Sequence, residues 1–291
     1  MGNSALRFEK AAIIGVGLIG GSLAMVLRQK GIAGRITGVG RGIANLEAAK
    51  RLGVIDEFTQ NPAEGVKGAD LVFVSVPVLK IAETVKKAAP FLKPGCIVTD
   101  AGSVKGSVVR DVEPLMPKGV SFVAGHPIAG TERSGVEAAL PELFKGKVCI
   151  LTPTEKTDPE AVQKVKTMWE IAGSKVVLTD ARTHDKMLAA ISHLPHMIAY
   201  TLVNTVGDEA RSCKELLGYS AGGFRDFTRI ASSSPEMWAE ICAMNKGFIT
   251  DMLGAFQSKL ETLKRLIQEA DTEGLKKEFE SAKRLRDSLL D

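Results

Sequence analysis

The stretch Ala11-Ala12-Ile13-Ile14-Gly15-Val16-Gly17-Leu18-Ile19-Gly20-Gly21-Ser22 decides how the chain is read. A short apolar run leads into G-x-G-x-x-G, and apolar residues then recur at helical spacing through Leu23, Val26 and Leu27 to Gly31. Strand, glycine turn and helix in that order is the context that makes this motif specific for a dinucleotide. Gly15 allows the tight turn, Gly17 lets a pyrophosphate approach the backbone, and Gly20 lets helix and strand pack closely. Leu18 and Ile19 open a helix whose unpaired N–H groups face phosphate oxygens.

Working outward, Arg35–Val39 is the next strand, and Gly40-Arg41 follows it. An NAD site usually carries an Asp or Glu here for the ribose 2′-hydroxyl. Its absence, with a guanidinium at Arg41, leans towards NADP without excluding NAD, since Arg can also stack on adenine or be merely solvated. Ala69–Pro77 is a nearly unbroken apolar run, as expected of a strand buried on both faces. It ends at Ser75-Val76-Pro77, on the carboxyl edge where ligands sit in such sheets. A further strand, Cys96–Thr99, leads into Asp100-Ala101-Gly102-Ser103-Val104-Lys105-Gly106. Ser103 can cap the next helix, or its hydroxyl can reach a histidine on the same edge.

That histidine is His126, in Gly125-His126-Pro127-Ile128-Ala129-Gly130-Thr131-Glu132. Pro127 and Gly130 predict a stiff bend that presents His126 rather than burying it. A histidine titrates near neutrality, so His126 there is a candidate proton acceptor. Val148–Leu151 and Lys175–Leu178 are expected to extend the sheet. The alternation of strands and helices predicts an α/β domain over 1–180, a Rossmann-type doubly wound sheet.

After Asp180 the pattern is all-α, giving a second, helical domain over 181–291. Residues 184–206 read as a long helix that Pro195 kinks, within Ser192-His193-Leu194-Pro195-His196. Gly222–Arg229 carries two guanidinium groups, Arg225 and Arg229, which either grip carboxylates or are plain surface arginines. Ser234-Pro235-Glu236 reads as a capped helix start with Trp238 just inside it. An apolar stripe from Phe248 to Ile267 marks a long helix, and Asp271–Gly274 breaks it.

Net charge is only 38 − 34 = +4 and the basic residues are scattered, which argues against a nucleic-acid partner. No apolar run is long enough to span a bilayer, so no membrane partner is expected. Cys96, Cys149, Cys213 and Cys242 lack metal-like spacing and read as buried thiols, so the expectation is a metal-free cytoplasmic protein.

The motifs GVGLIGGS (15–22), DAGSVKG (100–106), GHPIAGTERSG (125–135), SHLPH (192–196) and GGFRDFTRIASSSPEMW (222–238) together resemble the prephenate/arogenate dehydrogenases of tyrosine biosynthesis. The resemblance covers nearly the whole chain, from Gly15 to the C-terminal helices, and implies oxidative decarboxylation of prephenate to 4-hydroxyphenylpyruvate and CO2, with hydride passing to NAD(P). It implies that His126 accepts a hydrogen bond from the substrate's ring hydroxyl, that Ser103 orients His126, and that Arg229 holds a carboxylate. His196 then lines the substrate pocket with Ser192 close by, and Thr131, Glu132, Arg225, Asp226 and Trp238 stand at or near its rim. With His196 and Arg229 in it, the domain over 181–291 is expected to bind substrate, and its apolar helical stripe to supply the face of a homodimer. An arogenate or dual-specificity cyclohexadienyl dehydrogenase is the alternative within the family. A β-hydroxyacid dehydrogenase-like enzyme and a non-catalytic dinucleotide sensor are more distant ones, and the concentration of His and Arg in the motifs disfavours both.

Overall fold

The computed structural model describes residues 6–131, 133–213 and 215–289. Six short strands run parallel: β1 (Phe8–Ile14), β2 (Ala33–Val39), β3 (Glu57–Thr59), β4 (Leu71–Val74), β5 (Ile97–Asp100) and β6 (Ser121–Val123). Their spatial order is β3-β2-β1-β4-β5-β6, so the strand order reverses between β1 and β4. That is the Rossmann topology, and the reversal is where such sheets bind ligands. The connections carry α1 (Leu18–Gln29), α2 (Ile43–Arg51), the single turn α3 (Pro62–Gly65), α4 (Ile81–Ala88) and α5 (Gly106–Val112). The β4 run Leu-Val-Phe-Val is buried at every position, as a central parallel strand covered on both faces must be.

The expected continuation of the sheet past β6 does not occur. Three strands, β7 (Gly125–Pro127), β8 (Val148–Leu151) and β9 (Lys175–Leu178), form a separate sheet in the order β7-β8-β9. In it β7 runs antiparallel to β8, while β8 and β9 are parallel across α6 (Pro159–Ile171). Alternating apolar runs report that strands exist; which strand they pair with is a long-range choice that periodicity does not carry.

The hinge between the sheets is held by a buried ion pair. Asp100, at the end of β5, accepts at Oδ2 from Lys105 Nζ (2.5 Å) and from Gly102 N (2.8 Å), and at Oδ1 from Gly125 N (3.1 Å). Lys105 Nζ also donates to Gly125 O (2.7 Å). Both side chains are fully buried. Burial lowers the pKa of the Lys105 ammonium, opposed by the attraction of Asp100 and Asp185. The first residue of β7 is thereby fastened through both its N–H and its C=O.

Past β9 the chain is helical: α7 (Ala181–Leu188), α8 (Leu194–Ala210), α9 (Gly222–Thr228), α10 (Pro235–Met244), α11 (Lys246–Gln268) and α12 (Thr272–Asp287). The kink expected at Pro195 is a π-helical turn, Ala189–His193, with Pro195 in the first turn of α8, where its missing N–H costs nothing. Ser234 caps α10 by accepting from Met237 N (3.3 Å). Compact packing divides the chain after Lys246. In the second unit α11 and α12 are joined at Asp271, which caps α12 through Gly274 N (2.9 Å), and Lys259 meets Glu278 across the pair (3.6 Å). The helix that the sequence breaks over 271–274 therefore restarts at Thr272. The cysteines also divide: Cys96 and Cys149 are buried, Cys242 is half-buried and Cys213 is exposed, contrary to the expectation of four buried thiols.

Removing one partner of a buried ion pair strands the other charge. Lys105→Met should lower unfolding free energy by about 3–5 kcal/mol, read from urea denaturation. An unchanged midpoint would show that the pair does not hold β7.

Candidate active site

The cavity opens at the carboxyl edge of β1 and β4. The glycine turn there is fixed from both sides. Gly15 has φ +94°, and a Cβ on it would lie 2.4 Å from Ser75 O. A Cβ on Gly20 would lie 2.1 Å from Gly15 O, so the start of α1 packs directly on the turn. Ser75 Oγ donates to Gly15 O (2.7 Å), tying the end of β4 to the same turn. Gly17 differs: a Cβ there would meet nothing within 4 Å, and no side chain caps α1. Open space over uncapped N–H groups fits a pyrophosphate.

A cavity of about 640 Å³ runs from this turn to the helices. Gly17, Leu18, Ile19, Ser75, Val76 and Pro77 line one end. Ser103, His126, Thr131, His196 and Arg229 line the other. The sequence places these residues far apart, and the fold gathers them into one wall. Gly15 and Gly20 lie beneath the turn rather than in the lining. Arg41 is exposed beyond the cavity, its backbone carbonyl accepting from Gln60 Nε2. Glu132 lies outside the described residues.

His126 is not presented on a bend as the motif predicts. It is the middle residue of β7, paired with Ile150, and only 9% exposed. Its Nδ1 lies 2.9 Å from His184 Nε2, so the ring nitrogen with a partner turns to α7 rather than to Ser103. His184 Nδ1 in turn lies 2.8 Å from Asp185 Oδ1. Burial first, and then unfavourable electrostatics from His184, Lys105 and His193, hold the His126 pKa well below the usual imidazole range. Burial also lowers His184, against the pull of Asp185. A neutral imidazole at the cavity wall is a proton acceptor.

Ser103 does not cap α5. Lys105 N (2.7 Å) and Gly106 N (2.8 Å) at that helix start donate instead to the Asp185 carboxylate. Ser103 is left half-buried in the cavity wall.

His196 reaches the cavity from the first turn of α8. Its Nδ1 donates to Ser192 O (2.8 Å), which leaves Nε2 as an acceptor. Its ring stacks on Trp238 at 3.8 Å between centroids and 26° between planes. Ser192 and Trp238 therefore support His196 from behind and do not line the cavity. Burial and the charge of Arg229 lower the His196 pKa, opposed by the bond to Ser192. Arg225 and Asp226, on α9, are exposed and outside the lining. The second guanidinium at the cavity is Arg133, from the TERSG part of the histidine motif.

Sequence reading missed Lys105, His184, Asp185, Asn245 and Arg133. The chain has four histidines, and all four cluster here. His193 is buried, with Nδ1 3.2 Å from Asn245 Nδ2, and burial lowers its pKa to about 4. The dipeptide His184-Asp185 near the start of a helix was the available signal. Nothing local distinguishes it from a solvated turn.

Two family models match. Residues 23–178 match the nucleotide-binding domain of prephenate dehydrogenase, and residues 180–281 match its dimerization domain. The chain is 36% identical to a prephenate dehydrogenase of Bacillus subtilis over 95% of its own length and 75% of the relative's. It is 36% identical to a cyclohexadienyl dehydrogenase of Zymomonas mobilis over 97% and 96% of the two chains. A crystal structure of prephenate dehydrogenase from A. aeolicus, in complex with hydroxyphenyl propionate and NAD+, superposes with a TM-score of 0.90 at 40% identity, covering 99% and 100% of the chains. With motifs, fold and relatives agreeing along nearly its whole length, the chain belongs to the prephenate dehydrogenase family of oxidoreductases.

Proposed function

We propose that the chain oxidatively decarboxylates prephenate to 4-hydroxyphenylpyruvate and CO2, with His126 as the proton acceptor. The observation that carries this reading is a buried imidazole, held towards its neutral form, that lines one cavity together with Ser103, His196, Arg229 and the glycine-turn residues Gly17, Leu18 and Ile19. The bound nicotinamide supplies the hydride acceptor. The protein's own work is to orient, to hold charge and to manage one proton.

Prephenate carries two carboxylates and a ring hydroxyl. Loss of hydride from the hydroxyl-bearing carbon and of CO2 from the opposite ring carbon makes the ring aromatic. The hydroxyl proton leaves as the carbonyl forms and returns when the phenol forms, so no proton is consumed overall. His126 accepts that proton and gives it back. Ser103 holds the same hydroxyl, Arg229 grips a carboxylate, and His196 shapes the pocket, backed by Ser192 and Trp238. Residues 1–180 hold the dinucleotide, at Gly17–Ile19 and Ser75–Pro77, and carry Ser103 and His126, while residues 181–291 add the substrate contacts of His196 and Arg229 and the dimer contact.

The cofactor preference we infer is NADP, because Gly40-Arg41 offers no carboxylate and one guanidinium where the 2′-phosphate would lie. Arogenate is a second reading. Glu236 and Glu240 line the cavity one helical turn apart on α10, where an α-ammonium would find opposite charge.

Kinetics and sedimentation test these readings. His126→Asn should lower kcat by about 10²–10⁴-fold, whereas Arg229→Ala should mainly raise KM, because a carboxylate grip acts in ground and transition states alike. Full turnover by the first, or unchanged KM in the second, removes the assigned role. Reduced-nicotinamide absorbance, crossing prephenate and arogenate with NADP and NAD, should show the highest kcat/KM for prephenate with NADP. Arg41→Ala should erode the NADP value alone, and equal loss with NAD would refute the 2′-phosphate contact. Finally, α8 buries only Ala199 although Leu194, Met197, Ile198, Leu202 and Val203 lie along it. Sedimentation at twice the 31.0 kDa chain mass is expected, and a monomer would overturn the dimer.

A further inference from the structure

We propose that Asp185 and His184 are positioning residues that set the tautomer of His126, leaving its Nε2 bare towards the cavity. The inference rests on the reading of His126 as proton acceptor and adds how that nitrogen is kept free.

The argument is one of donor and acceptor counting along three buried side chains. The Asp185 carboxylate can only accept. It already takes Lys105 N at Oδ1 and Gly106 N at Oδ2, so its orientation is fixed by the backbone ahead of α5. Asn245 Nδ2 donates to the Asp185 backbone carbonyl (2.9 Å), which holds that residue from the other side. The hydrogen between Asp185 Oδ1 and His184 Nδ1 must therefore sit on His184 Nδ1.

His184 is fully buried and its pKa is lowered, so the ring is neutral and its Nε2 carries a lone pair. The 2.9 Å contact from that Nε2 to His126 Nδ1 then needs its hydrogen on His126 Nδ1. A neutral His126 has one N–H, now spent on His184. Its Nε2 is an acceptor by construction.

In water a neutral histidine favours the opposite tautomer, with hydrogen on Nε2. A His126 left to itself would donate into the cavity, where the reaction needs an acceptor. The relay also prepares for the charged state. When His126 takes the substrate's proton at Nε2, its Nδ1–H still points at His184, whose far nitrogen faces the Asp185 carboxylate. Lys105, beside β7, is otherwise unhelpful to a cation at His126. Asp185 is the negative end of the chain of bonds. The proton moves back along the same bond to the phenolic oxygen, so the cycle closes without any other donor.

The same counting assigns the other two histidines. His196 donates from Nδ1 to Ser192 O, so it carries hydrogen on Nδ1. His193 faces the Asn245 amide nitrogen, a donor, with Nδ1, so it carries hydrogen on Nε2.

The test is long-range 1H–15N correlation on protein labelled at its four histidines, at neutral pH and without substrate. His126, His184 and His196 should appear as Nδ1–H tautomers and His193 as Nε2–H. An Nε2–H tautomer at His126 would overturn the proposal, and this readout needs neither a folded variant nor turnover. It therefore stands apart from the assigned reaction: an enzyme inactive on prephenate would leave the tautomer result intact, and the wrong tautomer would leave the reaction intact. In kinetics, His184→Phe should lose about 10²-fold or more in kcat, with KM and dinucleotide affinity within about twofold. His184→Gln places an amide oxygen near the lost Nε2, and should recover about 10-fold of that loss together with the Nδ1–H signal of His126. Unchanged kcat in a folded His184→Phe protein, or equal loss in both variants, would reduce the pair to a structural role.

Discussion

The buried contact between Asp100 and Lys105 is the constraint on which the site depends. It joins the last residue of β5 to the first residue of β7, and so joins a parallel sheet that binds a dinucleotide to a second sheet that carries His126. Two ions with no exposure are costly to take out of water, and such a pair persists only when its remaining hydrogen bonds are satisfied. Here they are, by Gly102 N, Gly125 N and Gly125 O. A hydrophobic substitute would pack, yet it could not grip both backbone groups of Gly125. The chain uses the ion pair as a locating pin.

From that pin the electrostatics of the site follow. Lys105 holds a positive charge behind β7, and the histidines gathered around it are pushed towards their neutral forms by burial. Asp185 enters from α7 and supplies the compensating negative charge, while also holding the backbone of Lys105 and Gly106. One carboxylate thus shapes the start of α5 and the protonation pattern of the histidine chain. The cationic side chains at the cavity, Arg229 and Arg133, favour an anionic substrate and cofactor, and His196 is kept neutral beside Arg229 by the same logic.

The nucleotide half was legible in the sequence because its signals are local. Gly15, Gly17 and Gly20 each answer a steric question within a few residues, and the apolar run of β4 reports burial on both faces directly. The capped start of α10 at Ser234-Pro235 was legible for the same reason. The second sheet was not, since β8 and β9 carry the same apolar pattern as any added parallel strand. Their separation follows from β7 pairing antiparallel with β8, a contact between residues more than twenty positions apart. Arg225 and Arg229 look alike in sequence, and only the turn of α9 into the following residues leaves one at the cavity and the other outside it.

The sequence by itself determined the Rossmann-type turn, the helical second half and the motif set that marks the family, because residue type and short spacing settle backbone geometry and periodicity. Tertiary structure alone decided that His126 is buried in a strand, that Ser192 and Trp238 stand behind His196, and that Lys105, His184 and Asp185 belong to the site. Those facts depend on which side chains meet across eighty residues of chain, and a hydrogen bond has no signature until both its ends are in place.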